Sequence, residues 1–97
     1  MDKRGEIAEI NPEALLMPEK FDRALIGFVE RIGQEGIALY NTHTIIDIFI
    51  EDGMTEEEAM EWFAFNTLGS YCGEGTPAFA TLFIEEVEKD DENQDLP

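Results

Sequence analysis

Between Phe21 and Ile84 the apolar residues fall in short blocks, separated by glycine-bearing or acidic breaks. Leu25 to Ile32 and Ile37 to Tyr40 are two such blocks, bridged by Gly33-Gln34-Glu35-Gly36. Short apolar runs joined by a glycine-flanked loop predict a hairpin of two strands. Phe21, Leu25, Phe28, Val29 and Ile32 also fit one helix face, but Gly27 interrupts it, so the hairpin is the preferred reading. After Asn41 the period changes. His43, Asp47 and Glu51 recur every four residues, so the β-rich run Ile45, Ile46, Ile48, Phe49, Ile50 reads as a helix. Asn41 or Thr42 can cap it, and Asp52-Gly53 closes it.

A second helix start is sharper. Thr55-x-x-Glu58 is a capping box, with Glu56 and Glu57 in the first turn where the helix dipole favours acids. From there Ala59, Met60, Phe63, Ala64, Thr67, Leu68 and Tyr71 form one helical stripe. Gly73-Glu74-Gly75-Thr76-Pro77 reads as a loop, and Ala78 to Ile84 as a last strand rich in β-formers. Upstream, Asn11-Pro12-Glu13 has the order of a helix start, and Met17-Pro18 stops that helix after one or two turns. The pattern predicts an α+β fold. A small antiparallel sheet, made of the hairpin plus the C-terminal strand, is packed by two consecutive helices. Residues 1–18 form a lead-in with a short helix, 19–84 a compact domain, and 85–97 an acidic tail expected to be disordered.

Charge alters this picture most. The 97 residues carry 23 Asp and Glu against 6 Lys and Arg, a net charge of −17. From Ile32 to Glu88 there is no Lys or Arg at all, while twelve acids stand there. Seven of those twelve lie between Asp47 and Glu61. Such a surface repels nucleic acid and anionic membranes and attracts basic partners. No stretch is apolar enough to span a membrane, and no apolar run follows the N-terminal bases as a signal peptide requires. Cys72 is the lone cysteine, which excludes an internal disulfide and any multi-cysteine zinc site, and fits a reducing compartment.

Several segments carry a resemblance. Asp52-Gly53-Met54-Thr55-Glu56-Glu57-Glu58-Ala59, then Phe65-Asn66, then Gly69-x-Tyr71-x-Gly73-Glu74-Gly75-Thr76-Pro77 form a distinctive pattern. It resembles small acidic proteins common in bacteriophage and prophage genomes, a group with no established activity. Asn11-Pro12-Glu13-Ala14 and Ala24-Leu25-Ile26-Gly27 are similar to that group as well. The resemblance spans roughly residues 11 to 84 and implies a viral or prophage setting, hence a bacterial cytoplasm, and a compact α+β fold. It implies no catalytic residue.

Candidate chemistry is sparse. His43, Asp47 and Glu51 could share a helix face toward a metal, but no second His or Cys pair completes a shell, so a solvated face is the simpler reading. Asp52-Gly53 lacks the oxygen ligands of a calcium loop, since Ile48 and Ile50 occupy their positions. The Gly73 to Pro77 loop has no Lys, and Glu74 would repel a phosphate. Cys72 has no neighbouring cation to activate it and reads as a quiet, half-buried thiol. Chance pairing among so many acids explains any glycosidase-like carboxylate pair. No catalytic residue, metal or cofactor is expected.

Two aromatics stand apart. On a helical wheel from Thr55, Trp62 and Phe65 fall outside the core stripe and beside Glu58 and Glu61. They are covered by another element, or they form an aromatic anchor ringed by carboxylates. The expectation is therefore a non-catalytic binding module for a basic host protein, with Asp47, Glu51, Asp52, Glu57, Glu58, Glu61, Trp62 and Phe65 as its surface. It would decoy a nucleic-acid-binding site, as in a nuclease or defence complex, and would not itself bind nucleic acid. The alternative is a phage accessory protein whose acidity only confers solubility, with Trp62 and Phe65 buried in a homodimer.

Overall fold

In the computed structural model, which describes residues 2–70 and 72–83, the hairpin forms as the apolar blocks predict. Strand β1 (Leu25–Arg31) pairs antiparallel with β2 (Gln34–Asn41), from Leu25 opposite Tyr40 to Arg31 opposite Gln34. The turn is tighter than the glycine-flanked loop suggests. It needs only Ile32 and Gly33, because Gly33 at φ 82° supplies the left-handed residue that a two-residue connection requires. Register shifts near Ile26 and Glu30 bend β1, an edge strand of the sheet.

Helix α2 (Thr42–Glu51) follows β2 without a linker, and Asn41 caps it by accepting from the amides of His43 and Thr44. Its Ile45, Ile48 and Phe49 are buried, so helical spacing overrides the β-propensity of the isoleucine run. Helix α3 (Glu56–Trp62) starts at the expected capping box, with the Thr55 amide donating to Glu58 Oε1 at 3.0 Å and the Glu58 amide to Thr55 Oγ1 at 3.1 Å. It continues as a π-helix over Phe63–Leu68. The wider i→i+5 turn breaks the expected stripe. Ala59 and Phe63 are buried, whereas Ala64 and Leu68 within the π turn are exposed, as is Met60 ahead of it.

The sheet is mixed, not wholly antiparallel. Strand β3 (Ala78–Ala80) lies parallel to β2, with Tyr40 opposite Phe79. The reason is the connection: β2 runs directly into two helices, and a crossover of that length returns the chain in the same direction. The Phe79 ring then meets Phe63 edge-on at 5.3 Å and tilts against Tyr40 at 6.1 Å. Ile84, the expected end of this strand, and the acidic tail 85–97 lie outside the described residues, as does Tyr71.

The lead-in departs furthest from its pattern. Its helix, α1 (Lys3–Ile10), precedes Asn11 instead of following it, and Asp2 caps it by accepting from the Gly5 amide at 2.7 Å. Asn11 is buried. Its amide donates to the Gly36 carbonyl at 2.9 Å, and its oxygen accepts from the Glu13 amide at 2.9 Å. The Asn11 oxygen thus makes the expected capping bond, but only one turn follows, closed by the Ala14 amide on the Asn11 carbonyl at 3.0 Å. The Leu15 amide that would continue a helix donates to the Gly75 carbonyl instead. A 3₁₀ helix (Glu19–Ala24) completes the passage to β1.

One core unites these parts. Ile7 of α1 joins Phe21, Leu25, Ala38, Tyr40, Ile45, Ile48, Phe49, Ala59 and Phe63, so the lead-in packs into the body. Fully burying each larger side chain contributes about 1.5–3 kcal/mol. The Tyr40 hydroxyl, in the middle of this core, accepts from the Met17 amide at 2.9 Å and ties down the irregular segment before Pro18. The Gly73–Pro77 loop docks on the same segment. The Leu15 amide donates to the Gly75 carbonyl at 2.9 Å, and a Cβ on Gly75 would lie 2.5 Å from the Glu13 carbonyl oxygen. Only glycine fits that approach.

Candidate partner-binding surface

The residues expected to form one acidic surface divide into two groups. Asp47, Glu51 and Asp52 belong to α2 and its end, where cations from the 3₁₀ helix reach Glu51 and Asp52. Arg23 Nη2 bonds Glu51 Oε2 at 2.7 Å, and Lys20 bonds Asp52. The Glu51 hydrogen bond raises the Arg23 pKa above its ordinary value, with a further contribution from the charges of Glu51 and Asp47. Beside this seam Arg4 bonds Asp22, which raises the Arg4 pKa in turn. Lys3 donates to the carbonyls of Asp22 and Leu25 at 3.0 and 2.7 Å. The bases missing from Ile32 to Glu88 are thus supplied from the N-terminal third. They neutralise only the α2 side.

On α3 no such pairing occurs among the described residues. Glu58, Glu61, Trp62 and Phe65 stand at i, i+3, i+4 and i+7 from Glu58, so they share a face. They line a groove of about 450 Å³ together with Met54 and Asn66. Trp62 is 48 % exposed and Phe65 78 % exposed, a large apolar surface for a side chain pair outside the core. Glu57 is exposed in the first turn but does not line the groove. The sequence therefore placed four of these residues together. Met54 and Asn66 carried weaker signals: Met54 precedes the cap, and Asn66 lies eight residues past Glu58, where the π-helix makes a periodic extrapolation unsafe.

The other candidate positions are occupied structurally. His43 Nε2 lies 3.3 Å from the Leu82 carbonyl, and Glu51 turns to Arg23, so the His43–Asp47–Glu51 row is not a converging set. Among the described residues no cluster of three or more His, Cys, Asp or Glu has metal-binding geometry. Cys72 is exposed, not half-buried, and its amide donates to Thr76 Oγ1 at 2.7 Å. The Thr76 hydroxyl donates in turn to the Gly73 carbonyl at 2.7 Å, which gives the Gly73–Pro77 motif a structural purpose. A larger cleft of about 650 Å³ runs between this loop, Asn11–Leu15 and the hairpin turn. Glu13, Glu35 and Glu74 rim it, but Leu15 is its main apolar side chain, so it lacks an aromatic anchor.

Among the described residues no helix is long and apolar enough to cross a membrane. No family model, curated protein or solved structure matches the chain. The fold and surface define an acidic α+β domain that presents an aromatic groove on its base-free side.

Proposed function

We propose that the protein is a non-catalytic binding module that captures a basic protein surface through α3 and the groove beside it. The carrying observation is the pair Trp62 and Phe65, exposed in a groove whose rim is Glu58 and Glu61. Aromatic anchors supply most of the binding energy in such contacts, while unpaired carboxylates around them steer a positive partner and reject negative ones. The fitting partner is a nucleic-acid-binding protein of a bacterial cytoplasm, such as a nuclease or defence complex, with this chain as a phage-type decoy. Duplex DNA carries one charge per about 1.7 Å of axis, and its binders are built to meet that density. Glu56, Glu57, Glu58 and Glu61, within six consecutive residues of one helix, imitate it best. Glu51 and Asp52 contribute less, because Arg23 and Lys20 already hold them.

The alternative, acidity for solubility alone with the aromatics buried in a homodimer, meets a physical objection. A two-fold contact through this groove would set the Glu58 and Glu61 rims of two copies against each other, with no base among the described residues beside them. The test uses bacterial nucleic-acid-binding proteins eluted from heparin. At least one should bind, be displaced by duplex DNA, and be lost at high salt or in Trp62→Ala combined with Glu58→Lys and Glu61→Lys. A concentration-dependent dimer without any salt-sensitive, DNA-displaceable partner would refute the proposal.

A further inference from the structure

The groove combines a flat aromatic surface with fixed negative charge at short range. Glu58 is held in place by the capping box, since its Oε1 accepts from the Thr55 amide, and this leaves Oε2 to meet another donor. Glu61, one turn further on, makes no hydrogen bond or ion pair among the described residues. Trp62 and Phe65 stand between these acids and the end of the π-helix, with Met54 and Asn66 completing the walls. No cation among the described residues fills the space. The described bases all lie between Lys3 and Arg31, and Arg4, Lys20 and Arg23 are committed to Asp22, Asp52 and Glu51.

The geometry points to an arginine-receiving pocket: we infer that the groove takes one arginine side chain of the basic partner. This rests on the reading above that the α3 face binds a basic protein, and it names the group recognised. The guanidinium plane stacks on the Trp62 indole, its N–H fork donates to Glu61 and the spare oxygen of Glu58, and its apolar stem follows Met54 and Phe65. Arginine fits this site better than lysine for three reasons. Its cation is planar and stacks on aromatic faces, it sheds water more readily than an ammonium, and its donors diverge toward two carboxylates at once. An ammonium would satisfy one carboxylate and keep its hydration. A site built only from charge would treat the two alike.

Trp62 is the sole tryptophan, so its emission reports occupancy directly. The experiment titrates the full chain with penta-arginine amide and, separately, penta-lysine amide, at about 150 mM salt where long-range attraction is largely screened. Arginine should bind about fivefold or more tightly than lysine and perturb Trp62 emission. By calorimetry, Trp62→Leu should reduce the arginine affinity to the lysine level, and Phe65→Ser should narrow the ratio independently, should Trp62→Leu not fold. Glu61→Gln should weaken both peptides and keep a preference for arginine. Equal affinities in the native chain, or a preference that survives Trp62→Leu, would overturn the arginine pocket while leaving a salt-sensitive basic-partner site standing. Failure of both peptides to bind would remove the pocket and the basic-partner reading together.

Discussion

The seam between the 3₁₀ helix and α2 and the outer face of α3 have similar acidic sequences but opposite physics. At the seam, Glu51 and Asp52 meet Arg23 and Lys20 above a core in which the Phe21 and Phe49 rings pack edge-on at 5.7 Å. On α3, acids of the same type face water beside Trp62 and Phe65, with no base in reach among the described residues. The first arrangement spends its charges on holding elements together. The second leaves charge and apolar area unsatisfied, which costs stability and is of use only toward a partner. Local density of acids, therefore, does not identify a binding surface. What distinguishes the two regions is whether cations of the described residues reach the acids.

Substitution of one phenylalanine in each region should separate them most clearly. Phe49→Ala, at a buried position, should destabilise by about 3–5 kcal/mol in denaturant unfolding, and Phe65→Ala by less than about 0.5 kcal/mol. A large loss for Phe65→Ala would mean that the π-helix face is part of the core and would end the comparison.

Tyr40 gives the next effect. Tyr40→Phe leaves the Met17 amide without its partner and should cost about 1–2 kcal/mol at neutral pH. Burial raises the Tyr40 pKa, and the Met17 hydrogen bond and the charge of Arg4 oppose this only in part. The folded state thus favours the neutral phenol. Its stabilisation is complete below the unfolded value of about 10 and is lost as pH rises through and above it. Tyr40→Phe should flatten the fall of stability on the alkaline side, measured by urea unfolding across that range. An equally steep fall in both proteins would place the sensitivity elsewhere.

The smallest effects concern surface charge. Lys20→Ala breaks an ion pair whose two side chains are about half exposed, so it should cost less than about 1 kcal/mol. Adding salt screens the two seam pairs, the neighbouring Arg4–Asp22 pair and the repulsion on α3 alike. With a net charge of −17 the repulsion dominates, so the melting temperature should rise from about 10 mM to 150 mM salt. A fall would show that the seam pairs outweigh the α3 repulsion.

Much of this protein was determined locally and so was readable along the chain. The capping box at Thr55, the cap at Asn41, the hairpin around Gly33 and the helical spacing from His43 to Glu51 depend on neighbours a few residues away. The grouping of Glu58, Glu61, Trp62 and Phe65 on one face is of the same kind. Other features depended on residues distant in sequence. Asn11 reads as a helix start and makes the capping bond to Glu13, but the distant Gly75 carbonyl takes the Leu15 amide and only a turn forms, while the lead-in helix is the one that Asp2 caps. The direction of β3 follows from the crossover of α2 and α3, and the π-helix follows from no local signal we can name. The base-free stretch is a property of sequence, yet only tertiary packing decided which of its acids are neutralised. Lys20 and Arg23 reach Asp52 and Glu51 across the seam and do not reach α3, because an ion pair is fixed by distance in space.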